Sequence, residues 1–109
     1  MAFKVLFLAH APDAKKEKHR HTIDTGMYQL FTVVIKNQAE ALGVFKDFVE
    51  RKGIDSVMLC PGFTHLDVAE ITEAAQGNVA VSVARGDGPS GNVSLQARKR
   101  EGYPGKKEK

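Results

Sequence analysis

Apolar residues are concentrated in four short runs, at residues 3–9, 30–36, 54–60 and 78–84. The runs are nearly all apolar, and the second is rich in β-branched residues. Such runs are typical of strands that are covered on both faces, as in a parallel sheet flanked by helices. The pattern therefore predicts four buried strands.

Two amphipathic helices are predicted between the later runs. Asn37 and Glu40 have the spacing of a capping box, apolar side chains then recur at helical spacing, and Gly53 follows as a C-terminal glycine. Thr64 and Asp67 form a similar pair before the next helical stretch. Each helix therefore has a start signal of its own.

The remaining segments carry weaker signals. Residues 13–21 are polar and rich in lysine, which favours a short exposed helix, and residues 22–26 read as a turn. Residues 85–91 form a glycine-rich loop, and residues 92–100 predict a last short helix.

This order of elements predicts an α/β fold. We expect a compact, single-domain, three-layer arrangement over residues 1–97, with a parallel sheet of about four strands in the guessed order 2-1-3-4, as in flavodoxin-like and Rossmann-like folds. Residues 98–109 are expected to form a basic, flexible tail. A small sheet has exposed edges, so a homo-oligomer is also expected.

The charge distribution argues against nucleic-acid binding. The chain has 109 residues and a calculated pI of about 9.1. Residues 98–109 hold six Lys or Arg and two Glu, so the rest of the chain is close to neutral. The basic character belongs to the tail, and no interleaved aromatic platform accompanies it.

The sequence also points to a location in the cytoplasm. No run of 18 apolar residues predicts a membrane span, and the N-terminal residues lack a signal-peptide pattern. The single cysteine, Cys60, has no partner for an internal disulfide, which is typical of a reducing compartment.

Several local stretches together resemble a small prokaryotic family of unknown function. They are LFLAHAPDA, HRHTIDTG, VVIKNQAEAL, LCPGFTHLDVAEI and SVARGDGP, and the resemblance covers roughly residues 3–90. It implies a compact α/β domain. It implies no activity, so no catalytic residue is carried over from it.

Polar residues follow each predicted strand, where ligands bind in open parallel sheets. His10 follows the first strand, Asn37 and Gln38 the second, residues 60–65 the third and residues 85–90 the fourth. We therefore place the candidate site at the carboxyl edge of the sheet.

His10 and His65 are the candidate catalytic residues, since an imidazole can donate a hydrogen bond or move a proton. Cys60 is either a nucleophile near a helix start or a buried strand-end residue. Arg85 would supply positive charge, and backbone N–H groups after Gly62 would hold an anion.

Three further positions complete the predicted ligand-binding set. Thr64 is a helix cap that can also contact a ligand. Gly86 and Asp87 lie in the glycine-rich loop, where backbone N–H groups could hold a phosphate or carboxylate. The loop matches G-x-G-x-x-G, but no later strand follows it, so a dinucleotide site is not predicted.

No metal site is predicted, because the His and Cys spacing matches no established zinc signature. The cofactor, if any, is unknown. The favoured function is binding of a small anionic or carbonyl-bearing molecule at the carboxyl edge, with acid/base catalysis by His10 or His65 if the protein is an enzyme. The alternative is a non-catalytic protein-interaction or regulatory module.

Overall fold

A computed structural model describes residues 1–86 and 88–103. Five strands and three helices follow one another along this part of the chain. Their bounds are β1 Phe3–His10, β2 Arg20–Asp24, β3 Tyr28–Ile35, α1 Gln38–Lys52, β4 Ser56–Leu59, α2 His65–Ala75, β5 Ala80–Val83 and α3 Gly88–Arg100. The predicted α/β class is confirmed.

The strands form one mixed sheet in the order β2-β3-β1-β4-β5. β1 is central and pairs in parallel with both β3 and β4, and β4 pairs in parallel with β5. β2 pairs antiparallel with β3 and forms one edge. The carboxyl ends of the four parallel strands therefore meet at a single edge of the sheet.

β2 is a fifth strand that the sequence-based prediction of about four strands in the order 2-1-3-4 lacked, so the strand count and the order of the full sheet differ from that prediction. The four predicted strands, now β1, β3, β4 and β5, keep the predicted order among themselves. The helix predicted over residues 13–21 and the turn predicted over residues 22–26 give way to turns, the strand Arg20–Asp24 and a connection back to β3. All five residues of β2 are exposed. An edge strand that is solvated on both faces lacks the apolar run by which the other strands were predicted.

The core lies on one side of the sheet, under α1 and α2. The two helices contact each other, and their apolar residues join one cluster with alternate residues of the strands. The largest fully buried members are Phe45, Phe63, Leu6, Leu8, Ile35, Leu59 and Ile71. Burial of such side chains stabilises the fold by roughly 1.5–3 kcal/mol each.

The opposite side of the sheet, called here the open face, is not covered by α1 or α2. Residues paired across a ladder share a face, and successive residues alternate between faces. By this register the open face consists of His21, Ile23, Tyr28, Leu30, Thr32, Val34, Phe3, Val5, Phe7, Ala9, Ser56, Met58, Ala80 and Ser82.

α1 and α2 both pack on the core side of the sheet, so the sheet and these two helices form two layers. In a three-layer fold, the connection after the first strand carries a helix across the second face. Here that connection carries β2, which extends the sheet sideways. Neither that connection nor α1 or α2 places a helix on the open face.

The helix starts agree with their sequence signals. Asn37 caps α1 by accepting a hydrogen bond from the Glu40 N–H at 2.9 Å, and Gly53 ends it with a φ of 64°. Thr64 and Asp67 form a reciprocal capping box at α2, with distances of 3.0 and 3.1 Å. These caps satisfy N–H groups that a helix leaves unpaired.

α3 begins earlier than the sequence indicated. Residues 88–91, predicted as part of a loop, already belong to this helix, and none of its residues is buried. Residues 104–109, most of the predicted tail, lie outside the described part of the chain. In that described part, no helix has the length and apolar character needed to cross a membrane.

Candidate functional site at the carboxyl edge of the sheet

Two predicted site residues meet at the carboxyl edge. His10 is the last residue of β1, and Cys60 directly follows β4, the neighbouring strand. Nδ1 of His10 lies 3.3 Å from Sγ of Cys60, within hydrogen-bond distance for sulfur. Both residues are partly exposed. The parallel pairing of β1 with β4 thus creates a contact between residues 50 positions apart.

The imidazole of His10 is held between Cys60 and the turn after β4. Its ring centroid lies 4.3 Å from that of Phe63, which is fully buried. On another side, a Cβ added at Gly62 would lie only 3.0 Å from Nδ1 of His10. A side chain at this position would therefore press on the imidazole, and glycine lets the turn approach it this closely.

Burial lowers the pKa of His10 below its ordinary value near 6.5, because the charged form is poorly solvated. The negative charge of Asp67 acts in the opposite direction and raises this pKa, but by less. The neutral imidazole is therefore favoured near pH 7. A neutral imidazole with its proton on Nε2 accepts the thiol proton of Cys60 at Nδ1.

Arg85 stabilises the turn between Cys60 and α2. Its Nη1 donates to the carbonyl oxygens of Pro61 and Phe63, at 3.3 and 3.0 Å. The Phe63 N–H donates to the carbonyl oxygen of Cys60 at 3.2 Å. The arginine thus connects the end of β5 to the turn that surrounds His10.

Several backbone N–H groups after Gly62 are already used within the protein. The Thr64 N–H donates to the carboxylate of Asp67, and the Asp67 N–H donates to the Thr64 hydroxyl. In residues 1–86 and 88–103, the N–H groups of His65 and Leu66 at the helix start have no acceptor. An anion at this edge would have those two groups as its backbone donors.

Gln38 links α1 to α2 close to the same edge. Its Nε2 donates to the backbone oxygen of Asp67 at 3.1 Å and to the Glu70 carboxylate at 2.9 Å. Its Oε1 is buried and has no hydrogen-bond partner among the described residues. These two contacts help to fix the position of the α2 start relative to the sheet.

The remaining predicted site residues are less closely associated with the pair. His65 is the first residue of α2 and is exposed, and no hydrogen bond joins it to His10 or Cys60 in the described part of the chain. Gly86 is exposed, and Asp87 lies outside the described residues. The described residues contain no group of three His, Cys, Asp or Glu positioned for a metal ion.

Two contributors to the site were missed as such by sequence reasoning. Phe63 was not named as a site residue, and Asp67 was expected only to cap the helix. Their proximity to His10 depends on the pairing of β1 with β4, which single-sequence patterns do not specify. The available signal was their place immediately after a strand, at the edge where ligands bind.

The family of the chain follows from a sequence match over residues 3–97, to a family model described as a family of unknown function, DUF6506. The chain belongs to this family. The resemblance to a family of unknown function is therefore confirmed, and it provides no activity. No significant match was found among curated proteins or among solved structures.

Proposed function

We propose that the carboxyl edge of the sheet binds a small carbonyl-bearing molecule next to Cys60 and His10. The observation that carries this proposal is the 3.3 Å contact between Nδ1 of His10 and Sγ of Cys60. A thiol paired with a neutral imidazole is the arrangement that activates a cysteine for attack on a carbonyl carbon.

The chemistry that fits this pair is reversible addition. Nδ1 of His10 removes the thiol proton, and the sulfur of Cys60 forms a bond to the carbonyl carbon. The C=O π pair moves to the oxygen, which then takes up a proton from the imidazolium. The product is a hemithioacetal or hemithioketal, so the step needs no oxidant, metal or leaving group.

A neutral carbonyl compound suits the site better than a simple anion. The Asp67 carboxylate is close enough to raise the pKa of His10, and its charge opposes an anion at the same place. Arg85 offers positive charge, but its Nη1 donates to two backbone oxygens of the turn. The anionic class is therefore the second choice, with Arg85 and the start of α2 as its partners.

Three chemical probes separate these choices. Methyl pyruvate has a ketone and no charge. Pyruvate has a ketone and a negative charge, and propionate has a negative charge and no ketone. We expect methyl pyruvate and pyruvate to raise the melting temperature of the protein, and propionate to leave it unchanged. At a ligand concentration of ten times Kd, the expected stabilisation is about 1.4 kcal/mol.

Variants assign the effect to the site. Cys60→Ala and His10→Gln should abolish the stabilisation by methyl pyruvate. His65→Gln should retain it, because His65 is exposed and forms no hydrogen bond with His10 or Cys60 in the described part of the chain. Stabilisation by propionate alone would favour the anionic class. Equal stabilisation of wild type and Cys60→Ala would refute the proposed site.

The alternative function, a non-catalytic interaction module, is supported by a different observation. The open face is uncovered by α1 and α2 and carries apolar side chains. Self-association and a location in the cytoplasm remain proposals as well; the location is supported by the single cysteine.

A further inference from the structure

The open face combines solvent exposure with an apolar, uncharged composition. Phe3 is 52% exposed, Ile23 53% and Met58 36%, whereas Val5 near the middle of the face is 8% exposed. No residue of this face is Asp, Glu, Lys or Arg, although the chain contains 16 Lys or Arg and 13 Asp or Glu. The charged residues of the strands, such as Lys4 and Asp24, alternate onto the other side of the sheet.

A sheet face that remains in water usually alternates toward polar side chains. The two long strands, β1 and β3, are largely apolar on both sides, which is the pattern of strands with two covered faces. Since α1 and α2 cover one face only, these two helices supply one cover where the pattern of β1 and β3 calls for two. The open face therefore has the composition of a surface that is buried in an assembly.

We propose that a second copy of this chain covers the open face, with the two sheets packed face to face around a two-fold axis. A two-fold arrangement places the same patch against itself. For a charged patch this would bring like charges together, whereas an uncharged face meets its copy without such repulsion. In this proposal the contact between copies is made by a sheet face, whereas the sequence-based expectation placed it at the sheet edges.

The size of the face is near that of small specific interfaces. β1 and β3 have eight residues each, β2 has five, and β4 and β5 have four each. With a rise of about 3.3 Å per residue and about 4.8 Å between strands, the flat footprint is about 460 Å². Side chains standing off the sheet enlarge the accessible area, so two copies approach the ~1,200 Å² of small specific interfaces.

The first test is analytical ultracentrifugation of the full chain over a concentration series. We expect wild type to form a dimer with a micromolar Kd. In the double variant I23K/M58K, each copy would bury unpaired charges, which should weaken the dimer at least about 100-fold. The matched control Leu66→Lys changes a 69% exposed residue of α2 and should dimerise as wild type does.

Two results of this experiment would overturn the proposal. A wild type that stays monomeric at high concentration would leave the face to a different partner. A dimer that persists in I23K/M58K would show that another surface, such as a sheet edge, makes the contact. Neither result bears on the site at His10 and Cys60, which the proposed dimer does not involve.

A second test needs no substitution. The three methionines are Met1, Met27 and Met58, and Met58 is the one on the open face. In protein with labelled methionine methyl groups, a soluble paramagnetic agent should broaden Met27, which is 82% exposed, at all concentrations. Met58 should be protected in the dimer and become accessible on dilution. Equal broadening of both methyl groups in the dimer would contradict the proposal.

Discussion

Replacing Gly62 by alanine tests the closeness of the turn to the imidazole. The added Cβ would lie 3.0 Å from Nδ1 of His10 and 3.5 Å from Sγ of Cys60. Favourable contacts between heavy atoms begin near 3.5 Å, so the imidazole or the turn must move by roughly 0.5 Å. The Phe63 ring on one side and Cys60 on another limit where the imidazole can move.

Two opposing effects set the change in the free energy of unfolding caused by Gly62→Ala. Overpacking of this kind costs about 1–3 kcal/mol. Replacing a glycine also reduces the freedom of the unfolded chain, which returns about 0.4–1 kcal/mol. We therefore expect Gly62→Ala to lower the free energy of unfolding by about 1–2 kcal/mol, and the melting temperature by about 4–8 °C for each kcal/mol.

The assay is thermal and urea unfolding of Gly62→Ala beside Gly43→Ala. Gly43 lies within α1, and a Cβ added there meets nothing within 4 Å, so this control should gain about 0.5–1 kcal/mol. If Gly62→Ala were as stable as the control, the added Cβ would not press on His10, and the reasoning would be refuted.

Two further predictions concern the helix cap and the titration of the site. Thr64→Ala removes the acceptor of the Asp67 N–H and should cost about 1 kcal/mol in urea unfolding, whereas Thr72→Ala, outside the cap, should cost little. Because the pKa of His10 is lowered in the folded state, its effect on stability is absent above pH 6.5 and destabilising as pH falls from there toward the folded pKa. His10→Gln should remove this part of the pH dependence; an unchanged profile would mean that His10 is not buried as described.

The parallel strands and both capped helices could be predicted because their signals are local. The capping pairs at Asn37 and Thr64 fix where each helix begins, and the apolar runs mark the strands that contribute to the core. β2 could not be predicted in this way. Its five exposed residues are held by pairing with β3, which a local pattern does not reveal.

The location of the candidate site could be predicted from the sequence, but the contacts between its residues could not. The carboxyl edge follows from topology, so His10 and Cys60 could both be named from the sequence. Their contact depends on the register of β1 against β4, and the separation of His65 from the pair depends on where the turn ends. The role of Asp67 is likewise set by three-dimensional proximity to His10.

The central claim is that a carbonyl compound reaches Cys60. Because the chain contains one cysteine, protein labelled with ¹³C at the cysteine β carbon gives a single cysteine resonance that reports on the site. Titration with methyl pyruvate should shift this resonance in wild type and leave it in place with propionate. An unchanged resonance at concentrations of methyl pyruvate that stabilise the protein would contradict the account, because the ligand would then bind away from Cys60.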